Sequence, residues 1–551
     1  MTTENIRLVL VILLSFIGLL LWEAWQKDYG HAPQAPVLAT SQAPAEQAPT
    51  TPPIPAAKQT PDIAAVPKAP ASAISTAPAS LTVETDLFSA EINLAGGVIE
   101  KLSLKKYRTS GDQDAAAFRL LDNGVEREFI AQSGLKSEDR SADHYARFEA
   151  SANAFQMADG QDTLEVPLRW QAGDGLEVTR TLVFRRGSYE ITQKFDVKNG
   201  SSKAWTFNHY QQLQRQSAPV GHQLVPTFTG LAVSTPEKRY EKHEFEDLTE
   251  QPIAKDVTGG WLALIEHYFL GAIIPDSTIA QHFYSFSLGH NRYIVGFYGP
   301  STKVDPGGAA STASRFYLGP KLQETLPKIA PGLELTVDYG VLWFIAELLF
   351  SVLTFLHGML GNWGWAIIVL TLLIKLVFYP LSAAGYRSMA KMRAVQPRLL
   401  QLRERYPDDK ARLNQAMMEM YKQEKINPLG GCFPILIQIP VFISLYWMIL
   451  ESVEIRQAPF MLWIHDLSVK DPYYVLPALM LVSMWIQTKM NPTPPDPIQA
   501  KVMQIMPLIF GVFFAFFPAG LVLYWFVNNV LSISQQWWIT RQIEGATQTA
   551  R

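Results

Sequence analysis

Most of the chain divides into two parts with different patterns of apolar residues. Between residues 81 and 340, short runs alternate apolar and polar positions. In the stretch YEITQKFDVKNG, the apolar side chains of one face are those of Tyr189, Ile191, Phe195 and Val197. A period of two is that of a strand with one buried face, and the Arg-Arg-Gly-Ser just before this stretch is a hairpin signal. Helical patterns are few here, so residues 81–340 are predicted to form a large antiparallel β-sandwich.

From residue 341 onward, the apolar runs are longer and mostly uninterrupted. About twenty apolar residues span a bilayer. Residues 341–361 are apolar but contain Glu347 and His357, so they form either one more span or an amphipathic helix along the membrane interface. Five further transmembrane helices are predicted at residues 362–381, 432–450, 473–488, 502–517 and 519–538.

The first eighty residues fall into two segments whose compositions differ from each other and from the rest of the chain. Residues 6–25 are long and apolar enough to cross a membrane, and they end in bulky side chains without a small-residue cleavage site. This favours an uncleaved signal anchor over residues 1–30, the alternative being a cleaved signal peptide. Residues 31–80 hold eleven prolines and many alanines, with too little apolar surface to fold, and are predicted to be a semi-extended tether.

The distribution of charge then gives a predicted topology. The segment 382–431 carries ten Lys and Arg against five acidic residues, whereas the loop 451–472 has two basic residues. Excess positive charge marks the cytoplasmic side. Six spans satisfy this rule if both termini lie inside, the β-sandwich lies outside and residues 341–361 are the interfacial helix. The fold class is therefore a multi-pass α-helical membrane protein with a cytoplasmic helical hairpin at 382–431 and a short cytoplasmic tail at 539–551.

Composition narrows the class of function. The 551 residues have a net charge of −3 and only 18% charged residues, so no strong field attracts nucleic acid of a specific sequence. A single cysteine, Cys432, permits neither an intrachain disulfide nor a Cys/His zinc motif. The sequence has no Walker A loop, no G-x-S-x-G motif and no pairing of a nucleophile with a base. No catalytic residue, metal or cofactor is therefore predicted.

The run VLTLLIKLVFYPL places a positive charge, Lys375, inside a predicted span. Such a charge usually faces the interior of a helix bundle or water, although a long side chain near the end of a span can instead extend to the interface. Polar residues in neighbouring spans favour a hydrated cavity open on one side, with the interfacial alternative left open. These residues are Thr371, Gln438, Ser444, Asn528, Asn529, Ser532 and Ser534.

The basic segment 382–431 is typical of two amphipathic helices, the second capped by Asp408 or Asp409 and ended by Asn427-Pro428. One interpretation is a helical hairpin that closes on itself. The other is an adaptable, methionine-rich surface for varied apolar segments, ringed by arginines that meet ribosomal RNA or lipid phosphates. The residues of this contact surface are Met389, Met392, Met417, Met420, Arg393 and Arg405.

The chain closely resembles the YidC/Oxa/Alb family of membrane protein insertases over residues 342–538. The resemblance lies in four runs in order: GNWGWAIIVLTLLIKLVFYPLSAAGYRSMAKMRAVQP, KINPLGGCFPILIQIPVFISLYWM, EIRQAPFMLWIHDLSVKDPYYVLP and FPAGLVLYWFVNN. The earlier run VTGGWLALIEHYFLGAIIP and the Pro/Ala tether resemble the Gram-negative bacterial form. Similarity therefore extends over nearly the whole chain.

The resemblance implies a periplasmic supersandwich and a hydrophilic groove open to the cytoplasm and to lipid, in a bacterial inner-membrane protein with both termini cytoplasmic. A basic groove residue of the family falls at Lys375, where relatives commonly have arginine. Lysine keeps the charge but loses bidentate pairing. Other groove positions fall at Thr371, Gln438 and Trp525, and we place Asn528 with them.

The function implied by the resemblance is to insert and help fold inner-membrane proteins, alone or with the Sec translocon. Implied partners are nascent membrane proteins (small one- and two-span clients, ATP synthase subunits), the Sec translocon, the ribosome and the lipid bilayer. Two other classes stay open. An enzyme acting on envelope sugars requires a carboxylate pair or histidine cluster within residues 81–339, and a transporter requires inverted repeats and paired intramembrane charges.

Overall fold

The computed structural model describes residues 80–111, 114–124, 127–217, 227–406, 409–424, 433–491 and 497–549. Residues 75–551 form one compact unit, with strands in the amino-terminal part and helices in the carboxyl-terminal part. The predicted signal anchor and most of the predicted tether lie outside the described residues, as do Asp408, the Asn427-Pro428 ending and Cys432.

Nineteen strands lie in the described residues and form two sheets. In chain order they are β1 (Ser80–Glu84), β2 (Phe88–Asn93), β3 (Val98–Arg108), β4 (Ala117–Asn123), β5 (Glu128–Lys136), β6 (Glu149–Ala150), β7 (Ala154–Gln156), β8 (Thr163–Gln171), β9 (Leu176–Arg185), β10 (Glu190–Asn199), β11 (Trp205–Gln216), β12 (Gly230–Ser234), β13 (Glu241–His243), β14 (Ala254–Thr258), β15 (Trp261–Ile265), β16 (Phe269–Ile274), β17 (Ala280–Gly289), β18 (Arg292–Val304) and β19 (Ala309–Pro320). The first sheet has the order β14-β17-β18-β11-β5-β4-β3-β2-β1-β7, and the second β13-β12-β15-β16-β19-β10-β9-β8-β6. In both sheets the paired strands are antiparallel, except for β1 with β7 in the first sheet. This confirms the predicted antiparallel sandwich.

The predicted hairpin is formed by β9 and β10. The two strands pair antiparallel along their length, and Gly187 in the turn has φ 70°, a left-handed value that glycine adopts without strain. Along β10, Ile191, Phe195 and Val197 are buried and alternate with more exposed residues. The predicted period of two is thus confirmed here.

A buried arginine ties the two sheets together inside their shared apolar core. Arg180 of β9 is fully buried and donates from Nε and Nη2 to Gln193 Oε1 at 3.0 and 2.6 Å. Its Nη1 donates to the carbonyl oxygens of Gly96 and Gly97, in the turn between β2 and β3 of the other sheet. Burial lowers the pKa of Arg180 to about 10, and these acceptors replace the water that burial removes.

The carboxyl-terminal part contains eight helices of more than ten residues within the described part of the chain. They are α1 (Trp343–Leu360), α2 (Trp363–Val377), α3 (Tyr379–Arg405), α4 (Lys410–Gln423), α5 (Phe433–Glu451), α6 (Val475–Met490), α7 (Pro497–Phe514) and α8 (Ala519–Thr549). Two short helices, Asp247–Glu250 and Leu326–Ile329, lie in the β-rich part and after it. The predicted span 362–381 overlaps α2 and the first residues of α3, and the other four predicted spans overlap α5, α6, α7 and α8.

The helix predicted at residues 362–381 ends earlier, because the chain bends by 68° between α2 and α3. Asn362 caps α2 by accepting a hydrogen bond from the backbone N–H of Trp365, and α2 ends at Val377. Pro380 lies in the first turn of α3, where its missing N–H leaves no helical hydrogen bond unmade. Lys375 therefore lies in the last turn of a short helix rather than in the middle of a long one.

By length and hydropathy, Gly340–Leu360 is the one unbroken helix in the described residues that qualifies as a membrane span. The pair α2 and α3 also qualifies if it counts as a single bent span, and the apolar helices Ile437–Glu451, Val475–Met490 and Ala500–Phe514 are shorter. The six crossings and the interfacial position of residues 341–361 stay predictions.

The β-rich part contacts the helices through the carboxyl end of α5 and the loop that follows it. Lys321 Nζ donates to Glu451 Oε2 at 2.9 Å, in an ion pair whose side chains are 2% and 5% exposed. Arg456 Nη2 donates to the carbonyl oxygen of Arg108 at 2.6 Å, and the Gln457 side chain also contacts the end of β3. These contacts fix the carboxyl end of α5 against the β-rich part.

Candidate functional site

A cavity of about 590 Å³ lies among the helices. It is walled by α3, α5, α6, α7 and α8, so residues far apart in sequence meet there. The lining residues are Ser382, Gly385, Tyr386, Met389, Gln438, Ile439, Phe442, Ile443, Met484, Gln487, Thr488, Asn491, Phe510, Tyr524, Trp525, Asn528, Asn529 and Ser532. The wall combines aromatic and aliphatic surface with amides and hydroxyls, a composition that accommodates both the apolar and the polar parts of a peptide.

The apolar side of the cavity is organised around Trp525. Its ring packs edge to face on Phe442 at a centroid distance of 4.7 Å and lies 5.5 Å from Phe514. The indole Nε1 of Trp525 is buried and has no hydrogen-bond partner among the described residues. An unsatisfied donor of this kind costs free energy, so it is a favourable contact point for an incoming acceptor.

The polar side is held in place by hydrogen bonds between α8 and the carboxyl half of α6. Asn529 Nδ2 donates to Ser483 Oγ at 3.3 Å, and Gln536 Nε2 donates to Asn491 Oδ1 at 3.1 Å and to the carbonyl oxygen of Met490 at 3.3 Å. Because these amides bridge two helices, they fix α8 against the carboxyl end of α6 on the hydrophilic side of the cavity.

Lys375 lies behind this wall. Its side chain is 2% exposed, and its Nζ donates to Ser532 Oγ at 2.7 Å. Ser532 Oγ in turn donates to the carbonyl oxygen of Asn528 at 2.7 Å. No carboxylate within the described ranges lies within 4.0 Å of this ammonium group, so its charge is neutralised neither by Asp nor by Glu there. The serine hydroxyl therefore stands between the cation and the cavity.

The structure places the predicted groove residues in three positions. Gln438, Trp525 and Asn528 line the cavity. Lys375 is one hydrogen bond away from it, through Ser532. Thr371 is buried, and its hydroxyl donates to the carbonyl oxygen of Ile367 one turn earlier, at 2.7 Å. It is not among the residues of the wall.

The residues predicted to form a contact surface on the hairpin also separate. Met389 lines the cavity rather than the far end of α3. Met392, Met417 and Met420 pack with Val395 and Leu399 between α3 and α4, which fits the interpretation of a hairpin that closes on itself. Arg393 and Arg405 are exposed on α3, where they are available to a partner.

The prediction of the site omitted Tyr386 and Ser532. Ser532 was recognised as a polar residue of the last span, and the spacing of Trp525, Asn528 and Ser532, at i, i+3 and i+7, puts the three on one face of a helix. That spacing was the available signal. Tyr386 could not be found in this way, because it belongs to the basic segment assigned to the hairpin, and only the 68° bend brings the start of α3 to the cavity.

The architecture described so far is that of a helical membrane protein carrying a large β-rich domain ahead of its helices. Two family models match: "YidC periplasmic domain" over residues 80–352 and "60Kd inner membrane protein" over residues 355–547. Curated relatives named membrane protein insertase YidC match nearly the whole chain. The one from Thioalkalivibrio sulfidiphilus is 49% identical, covering 98% of this chain and 99% of the relative, and the one from Methylococcus capsulatus is 47% identical, covering 99% and 100%. The chain belongs to the YidC family of membrane protein insertases.

A solved structure of an active YidC insertase, in which the first transmembrane domain is resolved, is also similar. It is 18% identical to this chain with a TM-score of 0.38, and the match covers 84% of this chain and 92% of the other. The family relation gives the fold class, a β-rich periplasmic domain followed by an inner-membrane helical part, in agreement with the sequence prediction.

Proposed function

We propose that this protein inserts membrane proteins by receiving the polar part of a client segment in the cavity among α3, α5, α6, α7 and α8. The observation that carries the proposal is an amide- and hydroxyl-lined wall next to a buried lysine, Lys375, that has no carboxylate partner among the described residues. A polar segment in contact with this wall keeps hydrogen-bond partners inside the bilayer. Its transfer is then less costly than through lipid, where each unpaired polar group is penalised by several kcal/mol.

The direction of insertion follows from the charge of the chain. The basic hairpin formed by α3 and α4 lies on the cytoplasmic side under the positive-inside rule, which puts the β-rich domain and the loop after α5 in the periplasm. The groove is then open to the cytoplasm and to lipid, with both termini cytoplasmic. Apolar parts of the client leave the cavity into lipid because burial there is favourable, so the step needs no nucleotide at the insertase.

In the proposed topology, residues 341–361 form an interfacial helix, although their length and hydropathy also allow a span. In α1, Ala346 and Leu353 are fully buried against the neighbouring helices, whereas Leu348 and Phe355 are 64% and 68% exposed. A helix that lies in the interface contacts acyl chains with its exposed face. Because it does not cross the membrane, the basic segment 382–431 stays on the cytoplasmic side, as the positive-inside rule requires.

The clients and partners in this proposal are those expected from the sequence. Nascent one- and two-span proteins, including ATP synthase subunits, enter from the ribosome or from the Sec translocon. Arg393 and Arg405, exposed on the hairpin, are suited to phosphate groups of ribosomal RNA or of lipid headgroups.

The test is insertion by variants in cells depleted of the native protein. Lys375→Ala and Lys375→Glu are compared with Lys489→Ala, a matched control because Lys489 is exposed on α6 and outside the cavity wall. Two clients are used that differ only by Asp or Asn in the translocated polar segment. A screened charge interaction of about 1 kcal/mol predicts that Lys375→Glu lowers insertion of the Asp client about fivefold relative to the Asn client. Equal insertion of both clients by all three variants refutes the role of the cavity charge.

A further inference from the structure

The hydrogen bond between Lys375 and Ser532 is a feature that the proposed function alone does not require. Ser532 Oγ accepts from Lys375 Nζ at 2.7 Å and donates its single proton to the Asn528 carbonyl oxygen at 2.7 Å. A hydroxyl has one proton to donate, so these two partners leave Ser532 no proton to donate to a client carboxylate.

The lining of the cavity shows which group a client meets first. Ser532 and Tyr386 belong to the cavity wall, whereas Lys375 does not and is only 2% exposed. A client carboxylate in the cavity therefore meets a hydroxyl whose proton is already donated to the Asn528 carbonyl oxygen. It can pair with the ammonium group only after Lys375 exchanges Ser532 for the client.

We propose that Ser532 is a positioning residue that holds Lys375 behind the cavity wall and releases it to an acidic client. This inference rests on the proposed function for the meaning of the release, but the holding itself is a hydrogen bond between two residues of this chain. A serine is suited to this exchange, since a neutral hydroxyl binds an ammonium group more weakly than a carboxylate does. A fixed Asp or Glu at the same place would keep the cation and exclude acidic clients.

The arrangement also accounts for lysine as the cation. The flexible four-carbon stem of Lys375 ends in a compact ammonium group that one hydroxyl can hold and that can reorient without breaking a planar fork of contacts. Lys375 lies in the last turn of α2, close to the bend between α2 and α3.

Helix α8 contains its own matched control for Ser532. Ser534 Oγ donates to the Val530 carbonyl oxygen at 2.9 Å, the same i−4 contact that Ser532 makes to Asn528. Ser534 is exposed and is not part of the wall. Ser532→Ala and Ser534→Ala thus remove the same atom and the same helical contact, and differ in the bond to Lys375.

The experiment measures acylation of Lys375 by a water-soluble, amine-reactive acetylating reagent in the full chain held in lipid nanodiscs, with peptide-resolved mass spectrometry. Exposed Lys489 is the internal reference. In the native protein, Lys375 reacts at least about tenfold more slowly than Lys489, and Ser532→Ala raises its rate about tenfold, as expected for the loss of a charged hydrogen bond. Ser534→Ala leaves the rate unchanged, and Ser532→Thr, which restores a hydroxyl, restores slow labelling.

Two outcomes overturn the inference: native Lys375 reacts as fast as Lys489, or Ser532→Ala and Ser534→Ala label Lys375 equally. Both are independent of insertion, so they are distinct from failure of the proposed function, in which the labelling pattern holds but the Asp and Asn clients insert equally. A second readout supports the release step. The ratio of Asp-client to Asn-client insertion rises in Ser532→Ala and falls to one in Lys375→Ala. An unchanged ratio in Ser532→Ala overturns the release step.

Discussion

The buried ion pair between Lys321 and Glu451 provides the sharpest test of how the β-rich domain supports the helices. Glu451 ends α5, where a carboxylate is disfavoured by the partial negative charge of a helix carboxyl terminus. It is also almost fully buried. Lys321 offsets both terms with a 2.9 Å contact and donates as well to the Thr336 carbonyl oxygen at 3.2 Å. The perturbation is Lys321→Met, which keeps the length of the stem and removes the charge.

The magnitude follows from the burial of the pair. Removing one partner of a buried pair costs about 3–5 kcal/mol, because the other charge is left without compensation. Replacing both partners by apolar residues of similar volume is often neutral. Lys321→Met is therefore expected to loosen the junction strongly, and the double variant with Glu451→Met is expected to recover most of the loss. In a domain whose whole stability is about 5–15 kcal/mol, the single change is large.

The assay is amide hydrogen exchange of the full chain in detergent micelles, read at residues 320–342 and 452–458 by mass spectrometry. A loss of about 3 kcal/mol in the free energy of local opening accelerates exchange there about 100-fold. Amides of β10, distant from the junction in sequence, are the internal reference. Lys328→Met is the matched control, since Lys328 is an exposed lysine of the same segment.

Two results would refute this reasoning. One is an exchange rate at the junction within about fivefold of the Lys328→Met control, which corresponds to about 1 kcal/mol and is typical of an exposed pair. The other is faster exchange in the double variant than in Lys321→Met, because it would mean that the two side chains contribute by shape and not by charge.

Two other predictions concern the loop that follows α5. Burial raises the pKa of Glu454 to about 7 from an ordinary 4.5, so its contribution to folding is complete below about pH 4.5 and is lost as the pH rises through about 7. Glu454→Gln should remove a stability decrease of about 3 kcal/mol between pH 4.5 and 8, read by hydrogen exchange at the junction, and an unchanged pH dependence would contradict this. At the start of α2, a Cβ on Gly364 would lie 2.0 Å from Phe460 Cδ2, so Gly364→Ala should cost about 1–3 kcal/mol in thermal unfolding, and Gly364→Ala with Phe460→Leu should cost less. Equal melting temperatures for the native protein and Gly364→Ala would show that Phe460 moves aside freely.

The elements with strong periodicity were predictable from the sequence. The alternation around Ile191 and Phe195 gave the strand and its buried face, because a sheet with one side in the core imposes a period of two on the sequence. The order of the two sheets was not predictable. Strand β11 pairs with β5 and β18, which lie far from it in the chain, and such pairings depend on how the two sheets fill a common core.

Helix ends were predicted less well than helix existence, for a local physical reason. The apolar run continues past Val377 to Leu381, so hydropathy alone extends the helix, whereas Pro380 is compatible both with the end of one helix and with the first turn of the next. Composition does not distinguish these two positions. The packing of α2 and α3 against α8 does, and that contact is made by residues about 150 positions apart.

The position of Lys375 relative to the cavity, which bears on function, was also not predictable from the sequence. A lysine within an apolar run indicates that the charge must find a polar partner, but it does not indicate which side of the wall the charge occupies. That depends on the 68° bend, which brings Tyr386 to the cavity, and on a helical face of α8 that carries Ser532. The bend thus gives the cavity a hydroxyl surface and keeps the cation one hydrogen bond behind it. In the proposed function, this order gives a neutral wall that repels no client and a cation that remains available to an acidic one.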